Sequence, residues 1–171
     1  MPKALDSSTP STRFLIVMRH AKSDWSDVSL SDHDRPLNER GCRDAPRMGG
    51  WLHEIGMVPD LVLSSTSQRT RETVDLMKTA WGSDVEVSYA DSLYLATPEA
   101  IVRTIQGDGC GAERLMVLAH NPGVTHFVSK LAGQSVDMPT AAIAVFQVEK
   151  NDWSRFALGG PAKLIHFMRP K

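Results

Sequence analysis

The sequence predicts an α/β domain of three layers, with a mostly parallel central sheet and helices on both faces. Three observations lead there. Phe14-Leu15-Ile16-Val17-Met18, Leu61-Val62-Leu63 and Leu115-Met116-Val117-Leu118-Ala119 are short apolar runs with neither a helical stripe nor alternation, as expected of strands buried on both faces. Segments with apolar residues at helical spacing separate them, and strands alternating with helices build parallel sheets. Each run also ends in polar residues, and in open sheets of this kind ligands bind just beyond the carboxyl ends of the strands.

Taken in order, the first strand gives way to Arg19-His20-Ala21-Lys22-Ser23 and a polar loop reaching Arg35. A helix follows within 37–55, with Ala45, Met48, Leu52 and Ile55 at helical spacing. Pro46 fits poorly mid-helix, so the helix either starts near Asp44 or kinks at the proline. The second strand, 61–63, runs into Ser64-Ser65-Thr66-Ser67, a set of N-cap residues, and a helix over 68–81 with Val74, Met77 and Trp81 facing inward. Arg69 therefore lies in a first helical turn at the sheet edge. A third strand is expected over 85–87. Thr97-Pro98-Glu99 opens a third helix with a cap, a first-turn proline and a carboxylate at the positive dipole end, and Gly107 closes it. The fourth strand, 115–119, ends in His120-Asn121-Pro122-Gly123 and leads to a helix over 124–132, stopped by Gly133. A fifth strand is expected over 141–148, and a sixth over 164–167, antiparallel at an edge.

Composition narrows the function. At 171 residues with 42% hydrophobic and 23% charged residues, the chain forms one soluble domain, 13–171, after a loose Ser/Thr/Pro-rich arm, 1–12. The formal net charge of -1 gives no global attraction for nucleic acid or membrane, so any anion site must be local. Cys42 and Cys110 belong to no paired or metal-ligating pattern. No segment reads as a signal peptide or a span, and a cytoplasmic location is expected.

Three strand ends thus deliver Arg19 and His20, Arg69, and His120 to one rim. Guanidinium forks suit phosphoryl oxygens, a neutral imidazole can act as nucleophile, and a second, protonated one can hold an oxygen that gains charge. Lys22, Ser23 and Asn121 stand beside them in sequence and are expected to contact substrate. Each piece alone has a plainer reading: a surface Arg-His pair, a solvated arginine, a histidine capping the next helix. Their coincidence at one edge favours the site. His33, His53, His126 and His166 lack such company and are expected to be structural or surface groups. Asp32-His33-Asp34 has metal-ligand spacing, but capping carboxylates in a loop explain it more simply. No cofactor or metal is expected.

The blocks Met18-Arg19-His20-Ala21-Lys22-Ser23, Asp34-Arg35-Pro36-Leu37 with Glu39-Arg40-Gly41, Pro59-Asp60 with Ser64-Ser65, Arg69-Thr70-Arg71-Glu72-Thr73, Leu93-Tyr94 and Ala119-His120-Asn121-Pro122 occur in that order. With them the chain resembles the histidine phosphatase superfamily, the phosphoglycerate mutase-like group, and most closely its SixA-type phosphohistidine phosphatase branch. The resemblance implies that His20 is the nucleophile and that Arg19, Arg69 and His120 grip the phosphoryl group, with Arg71 turned elsewhere. It implies a metal-independent phosphatase acting on protein-bound phosphohistidine. A small phosphate ester as substrate and a catalytically weak phosphate-binding module are the alternatives, and a two-histidine metal hydrolase ranks below them. Many members carry an acidic proton donor after the third strand. Here 88–98 holds only Asp91, at best a weak donor; the SixA-type branch is similarly short in this region and lacks the usual donor, which strengthens the resemblance to it. Nothing in the sequence fixes the oligomeric state.

Overall fold

A computed structural model describes residues 11–149 and 152–171. Six strands form one sheet: β1 (Thr12–Arg19), β2 (Leu61–Ser64), β3 (Glu86–Tyr89), β4 (Arg114–Ala119), β5 (Ile143–Glu149) and β6 (Ala162–Met168), in the order β3-β2-β4-β1-β5-β6. The pairs β3–β2, β2–β4 and β4–β1 are parallel, whereas β1–β5 and β5–β6 are antiparallel. The sheet is mostly parallel as predicted, but its antiparallel part includes β5 as well as the edge strand. The expected arm lies outside the described residues except for Ser11 and Thr12, and Thr12 already opens β1, opposite Glu149.

Side chains alternate across each strand, and this sorts the core into two halves. Leu15 and Val17 of β1 join Leu115 and Val117 of β4 in one cluster with α3 (Pro98–Asp108) and α4 (Gly123–Ala132), through Ile101, Ile105, Val124, Phe127 and Leu131. Ile16 and Met18 join Met116 and Leu118 in the other, under α1 (Glu39–Glu54) and α2 (Gln68–Lys78), through Ala45, Met48, Leu52, Val74 and Met77. Both faces of the central strands are covered, so their middles, 14–18, 61–63 and 115–119, are apolar without a break.

Local signals set the helix ends. The side chains of Asn38, Ser67 and Thr97 accept from the backbone N–H groups of Gly41, Thr70 and Ala100, and Gly133 ends α4 with a left-handed φ of 70°. One expectation is narrowed and one corrected. Of the two readings of α1, the start near Asp44 is set aside: the helix begins at Glu39, within 37–55, and runs through Pro46. Its first turn is fixed by Asn38 and by the backbone contact of Gly41 with Lys22, which together outweigh the amide lost at the proline. Strand β3 lies one to two residues later than its apolar pattern suggested, because its register is set by pairing Leu61 with Glu86 and Ser64 with Tyr89. Cys42 and Cys110 are free and exposed. Among the described residues no helix is long and apolar enough to cross a membrane.

Two glycines on helices should respond oppositely to a methyl group. A Cβ on Gly123 would lie 1.8 Å from the carbonyl oxygen of Ala96, whereas one on Gly50 would meet nothing within 4 Å. Gly123→Ala is therefore expected to destabilise the fold by about 1–3 kcal/mol through forced backbone movement. Gly50→Ala should stabilise it by roughly 0.5–1 kcal/mol by reducing the freedom of the unfolded chain. Urea denaturation midpoints of the two variants check both signs.

Candidate active site

Strands β1, β2 and β4 run parallel in close register, with Arg19 opposite Ala119 and Ser64 opposite Leu118, so the residues after them emerge at one edge. His20 follows β1, His120 follows β4, and Ser65 follows β2; Arg69 stands in the first turn of α2. The His20 backbone N–H donates to the Ala119 carbonyl, and the Ala21 N–H donates to the Thr73 hydroxyl, which ties the strand end to α2. A pocket of about 260 Å³ opens here, lined by Arg19, His20, Lys22, Ser23, Trp25, Asp32, Arg35, Arg69, Leu95, His120, Asn121 and Thr140. The sequence-predicted group of Arg19, His20, Lys22, Ser23, Arg69, His120 and Asn121 is thus brought together.

Hydrogen bonding fixes the state of both rings. His20 Nδ1 lies 2.7 Å from the Ala21 carbonyl, which only accepts, so Nδ1 carries the proton. The Nε2 lone pair is left facing the pocket, where the Arg69 Nε–H approaches it at 3.4 Å. His120 Nδ1 accepts from Arg69 Nη2 at 3.2 Å, so its Nε2 carries the proton and donates to the Ser65 hydroxyl at 2.8 Å. The ring centres are 5.1 Å apart. Burial, reinforced by Arg69, Arg19 and Arg35 and opposed by the Ala21 carbonyl, pushes the His20 pKa down to about 3. Burial, then the His20 and Arg69 charges, lower that of His120 to about 2, against the pull of Asp32. Both imidazoles are therefore neutral at working pH. The expectation of a protonated second histidine does not hold for the free site; a bound phosphoryl dianion would reverse the local potential and favour that proton.

The arginines differ in their moorings. Arg69 is 2% exposed and, besides the two rings, donates through Nη1 to the Asp32 carbonyl at 2.6 Å and through Nη2 to the Asp32 carboxylate at 3.1 Å. Arg19 Nη1 reaches the Met138 carbonyl at 3.3 Å, while its buried Nε has no partner among the described residues. Arg71 turns away from the pocket as expected: its Nε donates to the Thr66 carbonyl and its guanidinium lies 4.0 Å over the Tyr89 ring. Asn121 spends its side chain on the Met138 carbonyl and on Thr125, so it shapes the pocket wall while fastening α4. Asp91 accepts from the Thr66 hydroxyl at 2.6 Å and does not line the pocket.

Three residues enter the site that the sequence pattern left without a role. Arg35 is a third pocket guanidinium, 7% exposed, bonded to the Ser23 hydroxyl and stacked 3.4 Å from the centre of the Trp25 ring. Asp32 joins Arg35 to Arg69 and accepts from the Tyr94 hydroxyl. Burial alone would raise the Asp32 pKa, but hydrogen bonds from Tyr94 and Arg35 and the charge of Arg69 outweigh it and hold the carboxyl far below the carboxylate range. Tyr94 is correspondingly raised by burial and by the carboxylate it faces, and stays a donor. His33, expected to be a structural or surface group, braces this cluster: it bonds the Thr66 hydroxyl and packs edge-on against Tyr94. Arg35 and Tyr94 stood within the motif blocks, and Asp32 within a spacing read as caps, so the residues were visible although their convergence was not.

A model of the histidine phosphatase superfamily (branch 1) matches residues 15–93. A chloroplastic protein of Arabidopsis thaliana, itself uncharacterised, is 36% identical over 168 residues, covering 92% of this chain and 77% of that one. An uncharacterised protein of Mycobacterium tuberculosis is 35% identical, covering 90% of this chain and all of its own length. A solved structure from Agrobacterium tumefaciens, assigned by inference as the phosphohistidine phosphatase SixA, superposes with a TM-score of 0.79 at 26% identity, over 92% of this chain and 98% of that one. A second, from Nakamurella multipartitia and assigned likewise, gives 0.80 at 28% identity, over 95% and 98%.

Arg69→Ala is expected to lower kcat/KM by on the order of 10²-fold or more, the cost of removing one donor aimed at developing charge. Arg71→Ala should have far less effect, and parallel kinetics on the two variants separate them. The histidines also make acid weaken the fold. Each has an unfolded pKa near 6.5 and a much lower folded value, so below about pH 6.5 the unfolded chain binds more protons and stability falls with pH. The slope approaches about 1.4 kcal/mol per pH unit for each ring. Urea midpoints at pH 7 and pH 5 should fall less steeply in His120→Gln than in the parent chain.

Proposed function

Since the chain belongs to the histidine phosphatase superfamily, in its SixA-type branch, we propose that it hydrolyses phosphohistidine carried on a protein, through a covalent intermediate on His20 and without a metal. The observation that carries this reading is the state of His20: a neutral ring, its Nδ1 proton held by the Ala21 carbonyl, presenting the Nε2 lone pair among buried guanidinium groups.

In the first step the Nε2 lone pair attacks phosphorus, and the bond from phosphorus to the leaving group breaks with its electron pair departing in line. Arg69, with Arg19 and Arg35 nearby, meets the charge on the phosphoryl oxygens, and His120 lies across the same space. Water then attacks the phosphorus held on His20, its oxygen forms the new P–O bond while the P–N pair returns to Nε2, and its protons leave with the inorganic phosphate. The Ala21 carbonyl keeps Nδ1 protonated throughout, so His20 departs as neutral imidazole rather than as the far more basic imidazolate. Lys22 and Ser23 stand at the wall where substrate enters. Guanidinium groups supply the positive charge that a cation would otherwise bring.

The substrate follows from how a leaving group is handled. An alkyl ester expels an alkoxide and gains roughly 10²–10⁴-fold from a positioned acid. Asp91, the candidate acid, is engaged with Thr66 outside the pocket lining. Imidazole, with an unperturbed pKa of about 6.5, needs no such acid. The likeness to structures assigned as SixA supports the same substrate.

Acid-labile phosphate should be trapped on the parent enzyme and be absent from His20→Ala, which stays folded but inactive. In excess chelator, kcat/KM for a phosphohistidine protein should be unchanged and should exceed that for alkyl phosphates by at least tenfold. Equal rates on alkyl esters, lost selectively in Asp91→Asn, would make the protein a small-molecule phosphomonoesterase. Loss of activity in chelator, restored by a divalent ion, would require a metal.

A further inference from the structure

The pocket is built to attract an anion, yet an ionised carboxylate stands in its wall. Asp32 Oδ1 accepts from Arg35 Nη2 at 2.7 Å, and Oδ2 accepts from Arg69 Nη2 at 3.1 Å and from the Tyr94 hydroxyl. Its side chain remains 43% exposed, so it faces whatever occupies the mouth. A carboxylate offers about four lone-pair sites, and three neighbours take one each, which leaves acceptor capacity free. For gripping a phosphoryl dianion alone, this group is a liability, because like charges at close range repel. Toward a leaving group that carries positive charge it is an asset.

We propose that Asp32 is a specificity-determining residue that selects phosphoryl donors with a cationic leaving group, in particular an N-phosphorylated imidazole protonated on its other ring nitrogen. This rests on the reading of the site as a phosphohistidine phosphatase. The two nitrogens of the substrate ring divide the work. One is bonded to phosphorus; the other must carry a proton if the ring is to depart as neutral imidazole. A carboxylate accepting that N–H favours the protonated donor, and a charge-assisted hydrogen bond is the stronger kind. When His20 Nε2 forms its bond to phosphorus, the breaking P–N pair stays on the leaving nitrogen. The ring then leaves with its one proton on the nitrogen beside Asp32, and no proton need be donated to it during the step. The Ala21 carbonyl does the same for His20, so each ring in the transfer has its own acceptor. A donor whose leaving group bears a carboxylate meets repulsion at the same spot.

The test compares kcat/KM for the parent chain and Asp32→Asn on phosphoimidazole, phosphocholine, p-nitrophenyl phosphate and phosphoglycolate. Asp32 also braces Arg69, so some loss on every substrate is expected, and p-nitrophenyl phosphate reports it. Selection by charge predicts that the preference of the parent for phosphoimidazole and phosphocholine over phosphoglycolate shrinks at least tenfold in Asp32→Asn and returns in Asp32→Glu. Equal fold-losses on all four substrates would overturn the proposal and leave Asp32 a mere brace. Phosphoimidazole cleaved well with its preference untouched by Asp32→Asn would overturn it while sparing the phosphohistidine reading. Phosphoimidazole left intact, with the phosphocholine preference erased in the variant, would keep charge selection and remove imidazole as the leaving group.

Discussion

The site depends on one buried guanidinium. Arg69 lies between the two imidazoles and touches both, at 3.4 Å to His20 Nε2 and 3.2 Å to His120 Nδ1. This is an expensive place for a charge, since burial removes its hydration and the neighbouring rings, being neutral, repay only part of it. The rest comes from Asp32, through both its carbonyl and its carboxylate. Everything that places Arg69 is therefore part of the site: the Ser67 cap that starts α2, and Thr73, whose hydroxyl donates to the Arg69 carbonyl and accepts from the Ala21 N–H. Through Thr73 the helix carrying the cation is held to the strand end carrying His20.

The same cation decides the protonation of both rings. Arg69 donates to one nitrogen of each histidine, and each ring has an oxygen at its other nitrogen: a carbonyl for His20, a hydroxyl for His120. Donors on one side and acceptors on the other leave one tautomer for each ring. In the proposed reaction, a nucleophile prepared in this way needs no base to remove a proton before it attacks. The arginine proposed to attract the phosphoryl group thus also keeps the attacking nitrogen unprotonated.

What the sequence revealed follows from where each kind of signal resides. Strands buried on both faces announce themselves as unbroken apolar runs, and β1, β2 and β4 end at or one residue past the ends of those runs, so His20, Arg69 and His120 could be placed on one edge. The cap of α3 was readable from Thr97, and that of α2 was narrowed to 64–67, of which Ser67 serves. Helix α1 was not, because its start depends on Gly41 passing close to Lys22, a tertiary contact that no propensity encodes. Direction was hidden for β5, since a short buried run reads the same whether its partner is parallel or antiparallel. The cluster of Asp32, Arg35 and Tyr94 was hidden for a related reason. It joins two loops, and Asp32 and Tyr94 stand 62 positions apart with no periodicity between them.

That cluster bears on the energetics of the proposed reaction. Moving a phosphoryl group from a substrate imidazole to His20 breaks and forms the same kind of P–N bond, so the first step is close to balanced. What remains is to keep each departing ring from becoming an imidazolate, and a fixed acceptor does this by holding a proton already in place. For an oxygen ester the bonds differ, the departing oxygen gains a full charge, and a fixed acceptor offers nothing; only a donor would help. A site furnished with acceptors, the Ala21 carbonyl and the Asp32 carboxylate, with Asp91 bound to Thr66 outside the pocket lining, suits the proposed transfer between nitrogens better than transfer from oxygen.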